Sequence, residues 1–246
     1  MADVLHLLWL TVLLRPYVFA YFALYLLSGA RELGWARLAL FTPLAYGVAF
    51  LSEYSSIHTG FPYGLYRYHH DTVGRELWVA GVPLFDSLSY TFLAYASLCV
   101  ALRRLGRPAP LAPAALLAGL LMLLQDVVVD PVAVRGSRWF LGDLFDYPEG
   151  GAYFGVPLSN FAGWLLTGCL ICGLYLGLER LLAPALPAAP RPPRHYGSGA
   201  LLYFLVMGFN VALAFYIREA ALGVAGLAAL SGAAALGFLR PGSASV

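Results

Sequence analysis

Residues Leu111 to Pro131 read LAPAALLAGLLMLLQDVVVDP. As an α-helix, Leu111 to Val129 is long enough to cross a hydrocarbon core about 30 Å thick, which takes about 20 apolar residues. A strand of an outer-membrane barrel would be about half that length and would alternate in polarity, as this run does not. Comparable stretches run from Val4 to Leu27, Trp35 to Leu51, Val82 to Leu102, Val156 to Leu178, Ala200 to Tyr216 and Ala220 to Leu239. The chain is 61% hydrophobic and only 11% charged, with a mean hydropathy of +0.75, outside the range of soluble domains of this length. The expected fold is all-α, a polytopic membrane bundle of about seven transmembrane helices.

The first apolar run opens on Asp3 and lacks both a basic start and a prompt small-residue cleavage site, so it reads as a helix and not as a secretory signal. Pro16 should kink it, and Arg15 must snorkel or find a partner inside the bundle. All 15 basic residues are arginines. Arg31, Arg37, Arg103, Arg104, Arg107, Arg180, Arg191, Arg194 and Arg240 fall in loops on one side, against Arg67, Arg75, Arg135, Arg138 and Arg218 on the other. That bias predicts N-out, C-in insertion in a bacterial-type cell membrane. Prolines between Ala183 and Tyr196 suggest a division into residues 1–182 with five helices and the active site, a connector over 183–198, and two C-terminal helices over 199–246. The last two spans carry few polar groups, Asn210, Arg218 and Glu219, and read as packing helices. Cys99, Cys169 and Cys172 lie inside spans, where the C-x-x-C pair reads as small packing residues. A net charge of +2 without a dense basic stripe argues against a nucleic-acid partner.

Acids in apolar sequence mark functional sites. Glu53 ends the second span, Asp86 lies about one turn into the third, Asp126 and Asp130 end the fourth, and Ser159-Asn160 lie in the first turn of the fifth. Because successive helices alternate in direction, all of these ends reach one membrane face. Asp126 and Asp130 lie on one face of a helix, about 6 Å apart along its axis. Two like charges so placed in low dielectric cannot both ionise cheaply, so one is expected to hold a proton and serve as a general acid. The competing reading pairs Asp126 with Arg135 or Arg15 and leaves Asp130 as a solvated terminal residue. Pro131 is expected to end the helix directly after Asp130.

Two loops join these ends. The first places rings at Phe61, Tyr63, Tyr66 and Tyr68 between turns allowed by Gly60 and Gly64, a wall suited to a conjugated or prenyl chain or to an interfacial belt. Its His58, His69, His70 and Asp71 form a poor ligand set, so no metal is expected. The second loop runs from Arg135 through Trp139, Asp143, Asp146 and Tyr147 to the block YFGVPLSNFAGW at Tyr153 to Trp164. Pro157 suits a first helical turn, and Asn160 and Trp164 then project from one face.

TGFPYGLYRY at Thr59 to Tyr68, GVPL at Gly81 to Leu84, DVVVDP at Asp126 to Pro131 and YFGVPLSNFAGW at Tyr153 to Trp164 resemble the carotenoid biosynthesis membrane family that includes bisanhydrobacterioruberin hydratase and bacterial carotenoid 1,2-hydratases. With hydropathy, the resemblance covers nearly the whole chain, and its last block is the most specific. It implies addition of water across the terminal C1–C2 double bond of an acyclic carotenoid end of the lycopene or γ-carotene type, giving a tertiary alcohol with no cofactor. Implied partners are the carotenoid, water, the lipid bilayer and other carotenoid-pathway enzymes. Phe85-Asp86-Ser87 departs from the more apolar opening of the third span in archaeal members, so the archaeal substrate does not carry over.

The residue types fit that chemistry. Alkene hydration needs a dry acid to protonate C2, a positioned water to attack C1, and carboxylates and ring faces to stabilise the cation. Asp126 and Asp130 are the expected donor and its partner, Glu53 or Asp86 the base, and Asn160 an assistant. Tyr63, Tyr66, Tyr153 and Trp164 are expected to line the end-group pocket, with His58, Thr59, Tyr68, Arg135 and Trp139 completing the binding set. A membrane prenyltransferase would use D-x-x-x-D for magnesium diphosphate but expects a second acidic motif and a basic cluster. A carotenoid cyclase would share the protonation step, and a proton-coupled transporter would also need intramembrane acids.

Overall fold

Every apolar stretch except the first forms a single helix in the computed structural model, which describes residues 3–106, 108–188 and 196–238. The helices are α1 (Val4–Leu14), α2 (Pro16–Glu32), α3 (Trp35–Thr59), α4 (Leu84–Leu105), α5 (Leu111–Ala133), α6 (Leu158–Leu182), α7 (Gly197–Tyr216) and α8 (Ala220–Phe238). Among the described residues, α3 to α8 are six helices long and apolar enough to span a membrane, or seven spans if α1 and α2 count as one. The fold is the expected all-helical membrane bundle. Leu239, Arg107, Arg191, Arg194, Arg240 and the middle of the connector lie outside the described residues.

The first run is not one kinked span. Its two halves, α1 and α2, meet at 95°. Pro16 opens α2, where its missing N–H costs nothing, and Arg15 leaves helical geometry at φ −121°, ψ 48°. The buried Arg15 guanidinium donates to Glu76 through Nη2 at 2.9 Å and Nε at 3.1 Å, and to the Leu141 carbonyl at 2.6 Å. It also lies 4.4 Å above the Phe85 ring. The arginine therefore neither snorkels nor meets Asp126, because the first loop supplies a carboxylate inside the fold. Removing one partner of such a pair leaves an uncompensated charge. Glu76→Leu alone is expected to cost about 3–5 kcal/mol, whereas Arg15→Leu with Glu76→Leu should recover most of it, as thermal unfolding in detergent would report.

Two helix ends also differ from expectation. The second span continues past Leu51 to Thr59 and stops where Gly60 adopts φ +79°. Glu53 is thus nearly two turns inside α3. Pro131 lies within α5, which closes through the Val134 N–H bond to the Asp130 carbonyl at 2.9 Å. Proline removes one donor from this final turn without preventing the next bond.

The α5 and α6 helices form the most extensive helix pair, and small residues set their separation. A Cβ on Gly119 would sit 2.5 Å from Cys169 Sγ, and one on Gly168 would sit 2.8 Å from Gly119 Cα. Cys169 is accordingly a packing residue, and the three thiols are unbridged. This close crossing holds the Asp126–Asp130 end of α5 against the start of α6.

At the same end, β1 (Arg67–Tyr68) pairs antiparallel with β4 (Phe145–Asp146), aligning Arg67 with Asp146. The short strands β2 (Trp78–Val79) and β3 (Val82–Pro83) form a hairpin leading into α4. Arg67 and His69 each reach Asp146 at 2.9 Å, joining the two loops. Glu219, between α7 and α8, accepts from Arg138 and, at 3.1 Å, from Arg135. These bonds hold its carboxyl below the ordinary carboxylate range.

Candidate active site

Helix alternation brings the end of α3, the start of α4, the end of α5 and the start of α6 to one face of the bundle. There they line an open cavity. Glu53, Asp86, Asp130 and Asn160 supply its polar wall, and Tyr63, Tyr90 and Trp164 lie among its aromatic groups. No Arg, Lys or His among the described residues lines it.

The four carboxyls fall into two differently bonded pairs. Glu53 and Asp86 share the Tyr68 hydroxyl, which lies 2.7 Å from Glu53 Oε2 and also contacts Asp86 Oδ2. Tyr66 donates to the same Glu53 oxygen. Burial raises the Tyr66 and Tyr68 phenols well above their ordinary range, and the neighbouring carboxyls push them further, so both phenols keep their protons. A phenol has one proton to donate. If Tyr68 donates to one carboxyl, its contact with the other is satisfied when that acid donates back. The arrangement therefore accommodates one stored proton in the Glu53/Asp86 pair.

Asp126 and Asp130 have a different partner. Asn160 Nδ2 donates to Asp126 Oδ2 at 2.6 Å and Asp130 Oδ2 at 2.8 Å, using both amide hydrogens. Asp126 Oδ1 also accepts from the Asp130 backbone N–H at 3.3 Å. Asp126 is fully buried and does not line the cavity, which it approaches through Asn160 and through a side-chain hydrogen bond with Asp130.

Aromatic rings close the remainder. Trp164 stacks on Tyr90 at 4.7 Å, and Tyr63 lies 6.2 Å from Tyr90 and donates to Thr167 at 2.9 Å. Gly163 permits the first loop to approach α6: a Cβ there would lie 2.4 Å from Tyr63 Cδ1 and 2.8 Å from the Pro62 carbonyl. Thus a glycine of the last sequence block positions a ring from the first.

Tyr66, Tyr68 and Trp139 also line the cavity, whereas His58, Thr59, Arg135 and Tyr153 do not. His58 bonds the Tyr54 carbonyl at 2.7 Å, and Thr59 bonds the Ser55 carbonyl at 2.8 Å, both on the exposed end of α3. Arg135 holds Glu219 and the Phe154 carbonyl, and Tyr153 packs on Phe154 and Phe161. His69 is engaged by Asp146, while His70 stacks on Trp78 at 5.1 Å. Residues not singled out from sequence also contribute: Tyr90, Tyr17 and Tyr21, and Phe209 from α7; Asn210, read from sequence as part of a packing helix, lies on the cavity wall as well. Tyr90 lies one helical turn after Asp86, and that spacing was a readable signal.

A family model described as carotenoid biosynthesis protein matches residues 7–230. Bisanhydrobacterioruberin hydratase of Haloarcula japonica is 33% identical over 152 residues, covering 61% of this chain and 47% of that protein. This chain therefore spans about half the length of the curated relative it matches. No solved structure matches.

Proposed function

We propose, from the premise that this chain belongs to the carotenoid biosynthesis protein family, that it hydrates the terminal C1–C2 double bond of an acyclic carotenoid end group. The carrying observation is the Tyr68 hydroxyl held between Glu53 and Asp86 in a ring-walled cavity. Lycopene and γ-carotene are the substrates this reading favours.

The protonated member of the Glu53/Asp86 pair gives its proton to C2. Its O–H bond breaks, and the alkene electrons form the C2–H bond, leaving a tertiary cation at C1. The faces of Tyr90, Trp164 and Tyr63 stabilise that charge. A water held by Asp130 attacks C1 and passes a proton to the Asp130 carboxylate as the C–O bond forms. Proton return from Asp130 to the donor pair, which lines the same cavity, completes the cycle. Asp126 and Asn160 position Asp130. This assignment exchanges the expected roles of the two acid pairs, because Glu53 and Asp86 both line the cavity with the Tyr68 hydroxyl between them, whereas Asp126 does not line it.

A prenyl diphosphate is a poorer fit, since its negative charge would face three carboxyls with no basic side chain among the described lining residues. The proposal is tested by expressing the chain in bacteria that accumulate lycopene or γ-carotene and analysing pigments by chromatography with mass detection. A product heavier by one water is expected. Unchanged pigments in cells whose membranes contain the protein would reject hydration of these substrates.

A further inference from the structure

A carotenoid is much longer than its reactive end, so most of the molecule must leave the acid-lined chamber through an apolar opening. One wall of the cavity is built from the first turns of α2 and the second half of α7. Tyr21 lies 6.0 Å from Phe209 and 5.7 Å from Phe92, and Tyr17 lies 6.1 Å from Phe209. Phe140 extends this group outward: it is 59% exposed, yet lies 5.3 Å from Tyr17 and 6.3 Å from Phe209. The rings thus run from the interior wall to the outer surface.

We infer that this α2–α7 cleft is a binding subsite for the conjugated arm of the substrate and its lateral passage to the bilayer. The inference rests on the proposed hydration of a carotenoid. Tyr21 and Phe209 offer ring surface to a flat polyene, while Tyr17 and Phe140 frame the outer opening. Their continuity with the acid-lined cavity lets the end group reach Glu53 and Asp86 as the arm stays among rings and lipid. The absence of basic residues from the described cavity lining favours this neutral occupant over an anionic headgroup. The 95° turn between α1 and α2 places Tyr17 at the start of a helix, beside the opening, instead of midway along one continuous span.

The test uses the full chain in phosphatidylcholine nanodiscs, comparing wild type with Tyr21→Ala/Phe209→Ala and with Phe209→Leu. Saturable quenching of tryptophan fluorescence reports lycopene binding, and pigment analysis reports hydration. Losing two ring contacts should weaken lycopene binding and raise its KM about tenfold with little change in kcat. Phe209→Leu with Tyr21 intact should retain most of the binding. Should the double variant fail to fold, Phe209→Trp supplies the same test by filling the cleft, with the same expected rise in KM. Unchanged quenching and KM in folded Tyr21→Ala/Phe209→Ala, or in folded Phe209→Trp, would overturn the subsite. Equal competition by a saturated alkane of the same length would also overturn it, because the cleft would then be a general lipid groove. Wild type that binds lycopene through the cleft but forms no hydrate would refute hydration while supporting the subsite. Wild type that hydrates normally while cleft variants behave identically would do the reverse, and neither binding nor hydration would overturn both.

Discussion

Glu53→Gln and Asp86→Asn are each expected to lower the hydration rate by about 10³-fold, within the range for loss of a positioned general acid. Both carboxyls line the cavity and share the Tyr68 hydroxyl, so either amide removes one of the two members of the proposed donor pair. The amides preserve approximate size and the ability to accept from Tyr66 or Tyr68, so folding should survive. Thermal unfolding in detergent separates that possibility from collapse. Tyr68→Phe should produce a smaller loss, because it unlinks the acids without removing either. Equal activity in all three variants and wild type would reject the shared-proton arrangement.

The second large effect belongs to Asp130. Asp130→Asn should reduce turnover by about 10³-fold, since it removes the base that receives the water proton. Asp126→Asn should cost markedly less, because Asp126 does not line the cavity and acts as a positioning residue through Asn160 Nδ2 and Asp130. The difference should appear in kcat, measured at saturating carotenoid in membranes containing matched amounts of folded protein. Rescue provides a further distinction: Asp126→Glu should restore more activity than Asp126→Asn if a carboxyl at this position orients Asn160. Indistinguishable losses at 126 and 130 would instead favour an undivided aspartate pair.

The membrane bundle was legible because lipid imposes a strong length and polarity requirement on each span. The hard turn at Arg15-Pro16 was only partly so. Proline signalled a break, but its angle depends on Arg15 meeting Glu76, 61 residues away, and the Leu141 carbonyl. The convergence of Glu53, Asp86, Asp130 and Asn160 followed from helix direction. The separate positions of Asp126 and Asp130 did not follow from their spacing, because four residues advance an α-helix by one turn plus about 40°. That rotation leaves Asp130 at the cavity and Asp126 behind Asn160. Tyr21 and Phe209 were hidden for another reason: an apolar helix presents aromatic residues on many faces, and only interhelical packing selects those that meet. Asn210 illustrates the same limit, since a residue of an otherwise packing-rich helix lies on the cavity wall.

The most direct test of the account is hydration of lycopene by membranes containing the full chain, run in deuterium oxide enriched in heavy oxygen and read by mass spectrometry and nuclear magnetic resonance. The expected product carries solvent oxygen at C1 and one non-exchangeable deuterium at C2 for each hydrated end. A product with deuterium but no added oxygen would contradict water capture and indicate cyclisation or isomerisation. Recovery of unlabelled lycopene from membranes containing folded protein would contradict lycopene hydration itself.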